Sequence, residues 1–396
     1  MMDATAPDTG VRAEFTGARM PFFRLALIGT LLQVPTLGFY RFWLITDIRR
    51  HLWSHTRFGS DAFEYTGRAR ELLIGFLIAL AILTPIYIGY FLLSIEAERW
   101  QAFASLPLLL VIYVLMNYGA YRARRYRATR TIFRGTRLWM DGSGWVYALR
   151  ALGWDALTLV TLGLALPWRM AALEHYRMRH THYGDLAASF LGTGGGLFKR
   201  GWWLWLLVLS APLALAITAF GASGAAMTLI ASIIPALTMV TLAAVYPLFR
   251  AIELRWRLEG MRFGETRVQS TLRKRSVLWC YVKAMLLSLL FFVLFGAVIG
   301  GLTIALIPDL GALWRDMAEG MPPAEAFPLI LIGYLGAALG LALIFLQVVT
   351  RGVWRLTVNS LTVFNLAALD AVAVRGAAAS GVGEGLADAL DFGGGV

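Results

Sequence analysis

The side chains with chemistry to offer are few. The five histidines, His51, His55, His175, His180 and His182, all sit in short basic stretches rich in aromatics. His51 and His55 are four apart, so on a helix they share a face, with Asp47 one turn earlier. That spacing suits a two-ligand metal face. His180 and His182 with Asp185 form a second, looser set. Against a metal stand the absence of HExxH, CxxC or a dense carboxylate cluster, and the ordinary use of such rings at a lipid–water boundary or a helix end. His51, His55, His180 and His182 are therefore weak metal candidates, and no cofactor is expected.

A second group consists of ionisable residues in apolar surroundings. Arg24, Arg150 and Asp155 lie in or beside the apolar stretches Leu25–Tyr40 and Val146–Trp168, where a charge is costly and suggests function. A plainer reading is an interfacial helix whose charged face meets headgroups. A third group is the arginine runs Arg49-Arg50, Arg122 to Arg130, Arg177 to Arg179, Arg250 to Arg257 and Arg273-Lys274-Arg275, interleaved with Trp53, Tyr121, Tyr126, Tyr176 and Trp256. Basic residues with aromatics suit anionic headgroups, or simply topology and anchoring. Arg124, Arg125, Arg177, Arg255 and Trp256 are the headgroup candidates. Gly192-Thr-Gly-Gly-Gly196 lacks the GK(S/T) of a phosphate loop and reads as a connector. No triad, acid–base carboxylate pair or dinucleotide fingerprint is supported, so no catalytic residue is assigned and an enzyme is not expected.

The elements that must carry these residues are set by composition. Hydrophobic residues make up 58% of the 396, charged residues only 15%, and mean hydropathy is +0.65. A soluble domain is about a quarter charged, so lipid is the expected solvent. The net charge of +12 then reads as positive-inside loops rather than nucleic-acid binding. Met1–Glu14 has no apolar core, so no cleavable signal peptide is expected. Cys280 stands alone and excludes an intrachain disulfide.

Six segments free of charge are long enough to span a bilayer: Leu72–Ile95, Ala102–Tyr121, Gly201–Gly221, Ala226–Phe249, Ala284–Ile307 and Ala326–Val349. A span takes roughly 20 apolar residues. With both termini in the cytoplasm, the outer loops Glu96–Gln101, Ala222–Ala225 and Pro308–Glu325 hold only Arg99 and Arg315 as cations. Every other lysine and arginine falls inside. Leu25–Tyr40 and Val146–Trp168 are short for spans and carry Gln33, Pro35, Gly38, Gly163 and Pro167. Eight full spans would put Arg122–Arg137 and Arg169–Arg200 on opposite sides, so these two are expected to be re-entrant or interfacial helices.

Three stretches align without gaps: Thr36-Leu37-Gly38 to Gly59, Thr161-Leu162-Gly163 to Gly184, and Thr241-Leu242 to Gly264. A weaker copy surrounds Arg351, Arg355, Asn359 and Ser360. Each begins at the end of an apolar helix, continues as a basic aromatic helix and closes on a polar turn. Phe58–Gly67 alternates like a small hairpin turning at Gly59–Asp61, with Phe15–Gly17 and Phe133–Gly135 as neighbouring strand-like pieces.

Those residues carry a resemblance. Thr36, Leu37, Gly38, Tyr40, Trp43, His55, Thr56, Phe58 and Gly59, with Thr161, Leu162, Gly163, Pro167, Trp168, His180, Thr181 and Gly184, make the chain resemble the YjgN-like family of bacterial inner-membrane proteins. The first copy has Phe42 in place of the family's proline, and the third has Ala243 and Leu248 in place of Gly and Trp. The resemblance runs from about residue 12 to about residue 365. It implies a bacterial inner-membrane location and no activity.

The expectation is thus an all-α polytopic membrane protein with six transmembrane helices, two re-entrant or interfacial helices, internal repeats and small cytoplasmic β-hairpins. The divisions are 1–137, 138–276, a terminal two-span unit 277–365 and an Ala/Gly-rich tail 366–396. Short, Gly/Pro-interrupted segments in corresponding repeat positions point to a transporter or channel-like protein. Its path would lie near Gln33, Pro35, Arg150, Asp155 and Gly163 and pass a small solute. The alternative is a lipid-binding or scaffold protein without a pore, whose partner is anionic phospholipid.

Overall fold

The protein is described from a computed structural model that covers residues 10–96, 101–220, 225–307 and 326–376, with Gly311 and Arg315 between the last two. The short polar segments are strands: β1 (Val11–Phe15), β2 (Thr56–Phe58), β3 (Asp61–Tyr65), β4 (Thr131–Phe133), β5 (Thr136–Met140), β6 (Thr181–Tyr183), β7 (Leu186–Phe190), β8 (Met261–Phe263), β9 (Thr266–Ser270) and β10 (Leu361–Phe364). They do not stand as separate hairpins. All ten join antiparallel neighbours into one closed barrel in the order β1-β10-β9-β8-β7-β6-β5-β4-β3-β2. Val11 opposite Val363 and Ala13 opposite Phe58 close the ring.

This overturns the all-α expectation. An isolated hairpin leaves its edge groups unpaired and is marginal in water, whereas closure removes every edge. Tight two-residue turns join β2–β3, β4–β5, β6–β7 and β8–β9 at one rim. Three begin with a left-handed glycine, Gly59, Gly184 or Gly264, while Arg134 and Gly135 are both left-handed. These are the conformations that match strand twist in two-residue loops.

The longer connections between strands are helical: α1 (Arg19–Leu31) and α2 (Arg41–Ser54); α3 (Ala69–Glu96) and α4 (Gln101–Thr129); α5 (Gly144–Val160) and α6 (Leu166–Arg179); α7 (Gly194–Phe220) and α8 (Ala225–Gly260). Between β9 and β10 come α9 (Lys274–Leu306), α10 (Phe327–Ile344), a π-helical stretch Phe345–Thr350 and α11 (Arg351–Asn359). Each helix that re-enters the barrel passes into its strand within one or two residues. At three of these junctions a threonine, Thr56, Thr131 or Thr181, returns its hydroxyl to the carbonyl four residues back, at 2.8–2.9 Å. The hydroxyl thereby satisfies one of the carbonyls that a helix end leaves without a partner.

Four helices among the described residues are long and apolar enough to cross a membrane: Ala69–Leu92, Leu237–Gly260, Lys274–Leu306 and Phe327–Asn359. Six were expected. Ala102–Tyr121 and Gly201–Gly221 fall in α4 and α7, whose described parts do not qualify. Both helices carry their apolar run into a basic root at the barrel, and part of each run lies outside the described side chains. The acidic loops expected on the outer side lie mostly outside the described residues, as do residues 377–396.

The chain divides into two compact units. The larger holds Met1–Thr16, Arg49–Leu278 and Leu356–Val396, and so contains the barrel. Period-2 alternation sends one face of each strand inward. Phe58, Phe63, Phe133, Tyr183 and Val363 meet there with Val11, Leu138 and Val268. Phe63 stacks on Phe133 at 4.7 Å, Phe58 meets it edge-on at 6.0 Å, and the Tyr183 hydroxyl donates to the Phe133 carbonyl at 2.9 Å. The interior is thus a packed core. Residues 365–376 run across the rim of turns. There Arg134 reaches Asp61 at 2.6 Å and Asp370 at 2.7 Å, and the Ala373 amide donates to Asp185 at 3.0 Å. Outside the barrel, α4 to α8 pack each on the next in chain order.

The smaller unit holds Gly17–Ile48 and Trp279–Arg355. Here α1 lies along α10. Gly336 and Gly340 admit the rings of Phe295 and Phe291, which a Cβ would strike at 2.4 and 2.1 Å. Arg351 donates to the Gly17 carbonyl at 2.8 Å in a buried position.

Phe133 is 3% exposed and central to the aromatic core. Phe133→Ala should cost about 3–5 kcal/mol. Arg57→Ala, on the outer face of β2, should change stability by less than about 0.5 kcal/mol. Denaturation of the two variants in detergent would show the difference.

Candidate functional site

Two charged arrangements stand at the helix roots of the larger unit. The first is buried. Glu174 of α6 has no exposed side-chain surface. It accepts from Arg124 of α4 at 2.8 Å and from Arg177, one turn along α6, at 3.0 Å, and it faces Arg257 of α8 at 3.5 Å. Glu253 extends the network to Arg257 at 2.7 Å and Arg250 at 3.1 Å. Arg177 also donates to the Tyr147 hydroxyl of α5. One carboxylate thus ties α6 to both α4 and α8. Burial raises the Glu174 pKa, but the three guanidiniums outweigh it and hold the carboxyl down at about 2. Burial pushes the Arg124 guanidinium below its ordinary value. With three cations committed to it, Glu174 is a positioning group.

The second arrangement is open. A cleft of about 500 Å³ is lined by Lys199, Arg200 and Trp203 of α7, Arg255 of α8, and Lys274 at the start of α9. Glu259 holds Arg200 at 2.8 Å and Arg255 at 2.7 Å, which fixes both guanidiniums at the mouth. Lys274 lies 5.5 Å over the Trp203 ring and donates to the Arg200 carbonyl at 3.4 Å. Four cations therefore face one space, with a tryptophan at its apolar border.

The sequence candidates scatter between these places. Arg255 lines the open cleft. Its neighbour Trp256 is buried behind it, edge-on to Phe190 at 4.9 Å, with its indole N–H on the Thr193 carbonyl at 3.2 Å. Arg124 and Arg177 belong to the buried network. Arg125 is half-buried, and its Nε atom lacks a hydrogen-bond partner. Gln33 and Pro35 sit in the turn between α1 and α2, and Gly163 in the turn between α5 and α6. Arg150 lies 4.7 Å over the Tyr176 ring. Asp155 pairs with Arg169 of α6 at 2.6 Å and accepts from the Tyr113 hydroxyl of α4.

The His51 and His55 rings are 4.2 Å apart, and His55 Nδ1 lies 2.7 Å from the His51 carbonyl. His180 pairs with Asp141 at 2.7 Å, and His182 stacks on Trp139 at 4.2 Å. Among the described residues no three His, Cys, Asp or Glu side chains are placed to hold a metal.

Sequence reading passed over Glu174, Lys199, Arg200 and Trp203, and noted Lys274 only as part of the basic run Arg273-Lys274-Arg275. A lone glutamate inside an arginine run was a visible signal for the first. The cleft had none, because its lining comes from three separate helices.

Four long apolar helices joined to a packed barrel are compatible with a membrane protein. The chain belongs to the family described as "Bacterial protein of unknown function (DUF898)", whose model matches residues 11–389. That match agrees with the resemblance carried by the T-L-G motifs. Comparison with curated proteins and with solved structures gives no match.

Glu174→Gln should destabilise the protein by about 3–5 kcal/mol, because it leaves clustered guanidiniums without their counter-charge. The carboxyl's pKa falls on folding from 4.5 to about 2. Its contribution is therefore fully present above pH 4.5 and is lost as pH falls toward 2. The gap in melting temperature between the two proteins should narrow steadily as pH falls from 5 to 3.

Proposed function

We propose that this chain is a multi-pass protein of a bacterial inner membrane that binds anionic phospholipid at its basic helix roots and acts as a lipid-binding scaffold. The cleft formed by Lys199, Arg200, Arg255 and Lys274 carries the reading. Phosphate is the ligand such a cluster attracts, and a tryptophan beside it marks the depth at which headgroups lie. In this reading the apolar helices supply the anchor, and the excess of cations at their barrel ends supports a cytoplasmic barrel and cytoplasmic termini. The filled barrel interior favours a scaffold over a path along the barrel axis.

A transport reading draws support from one feature, the Asp155–Arg169–Tyr113 group between α4, α5 and α6. A path there would require these partners to separate during turnover. Proteoliposomes loaded with small anions and cations should show no flux above that of Asp155→Asn. A clear difference would favour transport.

For the lipid reading, native mass spectrometry of the detergent-purified protein should show retained phosphatidylglycerol or cardiolipin in preference to phosphatidylethanolamine. Lys199→Gln with Lys274→Gln should weaken retention roughly thirtyfold, at about 1 kcal/mol per cation. Arginine at both positions should preserve it. Equal retention by all three proteins would remove the cleft from consideration.

A further inference from the structure

Two backbone outliers share an unusual geometry. Among the described residues the non-glycine positions with positive φ are Leu37, Arg134, Leu162 and Asn365. Leu37 and Leu162 both have φ of 49°, and each precedes a left-handed glycine, Gly38 at 85° and Gly163 at 87°. Leucine is an odd choice for this conformation, which glycine or asparagine adopts more readily. It is odder still on the surface. Leu37 is 88% exposed and Leu162 72%, and Leu159 and Val160 beside the latter are 79% and 81% exposed.

Each leucine stands at the tip of a short helix pair, α1 and the first half of α2 in the smaller unit and α5–α6 in the larger. The turns are closed in the same way. The Thr36 hydroxyl donates to the Leu32 carbonyl at 2.6 Å and accepts from the Tyr40 amide at 3.1 Å. The Thr161 hydroxyl donates to the Leu157 carbonyl at 2.8 Å and accepts from the Ala165 amide at 3.1 Å. The Gly38 and Gly163 amides reach back to Gln33 and Thr158 at 2.7 Å. A turn so satisfied internally is what hydrocarbon demands of a non-helical backbone.

The second tip also has a depth marker. The Trp205 indole of α7 donates to the Leu162 carbonyl at 3.0 Å. Trp205 lies just inside the start of the apolar run of α7, beyond the cleft cations Lys199 and Arg200. The tip therefore sits near the aromatic boundary, well short of the far side. Charge complementarity agrees, since cations bracket both tips: Arg24 and Arg41 around the first, Arg150 and Arg169 around the second. Asp155, the acidic residue near the second tip, is neutralised by Arg169.

We propose that the two T-L-G tips are one-leaflet wedges, each driving a left-handed leucine into the acyl region just beneath the headgroups of the cytoplasmic leaflet. The partner surface is a single lipid leaflet, entered to about 5–10 Å. A bilayer softens the exposure that makes these leucines costly in water. Because the tips displace lipid in one leaflet only, they bias it toward curvature. The inference rests on the membrane reading above and extends it to the residues that enter the lipid.

The test is depth-dependent quenching on the full-length chain carrying Cys280→Ser. A polarity-sensitive fluorophore is placed singly at Leu37→Cys, Leu162→Cys or Val160→Cys. Leu294→Cys, on the exposed apolar face of α9, serves as a reference for a spanning helix. Proteoliposomes contain lipid brominated either near the carbonyl or near the chain end, with iodide as the aqueous quencher. All three tip probes should be quenched most by bromine near the carbonyl and little by iodide, and Leu294→Cys most by bromine near the chain end.

If iodide quenches the tips while Leu294→Cys stays in lipid, the wedges are refuted and the membrane reading stands. If chain-end bromine dominates at the tips, they cross deeper than one leaflet and the inference is again refuted. Iodide quenching at Leu294→Cys would refute the membrane reading itself. Val160→Cys leaves the Leu162 backbone intact, so it keeps the test valid should Leu162→Cys fail to fold.

Discussion

Closure of the barrel is the constraint on which the rest depends. Strands of three to five residues are too short to persist alone, and only closure of the ring leaves none of them as an edge. The closing pair, Val11 with Val363, joins positions almost a chain length apart. Once the ring is shut, the place where every returning helix begins and the direction in which it leaves are both set. Within the larger unit, α4 to α8 are thereby held in packed succession.

The charged roots follow from that packing. Helices α4, α6 and α8 return to β4, β6 and β8, alternate strands along one stretch of the ring, and their arginine-rich ends meet around Glu174 and Glu253. Convergence of like charges is unfavourable, and Glu174 and Glu253 are the internal counter-charges that make it tolerable. At the cleft between α7, α8 and the start of α9, Glu259 meets Arg200 and Arg255, no second carboxylate among the described residues lines the space, and the cleft stays open and basic. One composition, arginines with aromatics, thus yields a sealed ion network in one place and an anion-attracting space in another. The difference lies in which cations meet a buried carboxylate and which line an open space.

Hydropathy makes the long apolar helices legible in the sequence, because lipid solvation acts residue by residue. Leu72–Ile95 and Ala284–Ile307 could be read directly. The T-L-G turns were legible as motifs, and the turn at Gly59 as a hairpin. The ten-stranded ring was not, since a segment such as Thr131–Phe133 carries no mark of its partners. The headgroup candidates divide for the same reason. Arg124, Arg177 and Arg255 look alike along the chain, yet two are spent on a buried carboxylate and the third lines the cleft.

By itself the sequence determined the solvent and the local signals: runs of apolar residues for lipid, cations at their ends, threonine and glycine where the chain must turn. Those are properties of a residue and its near neighbours. Tertiary structure alone decided which short strands meet, that the barrel interior is filled by rings from β2, β3, β4 and β6, and which arginines remain available. Each of those outcomes depends on pairing across large separations. The physics there is edge closure and charge compensation, and neither leaves a periodic trace in the chain.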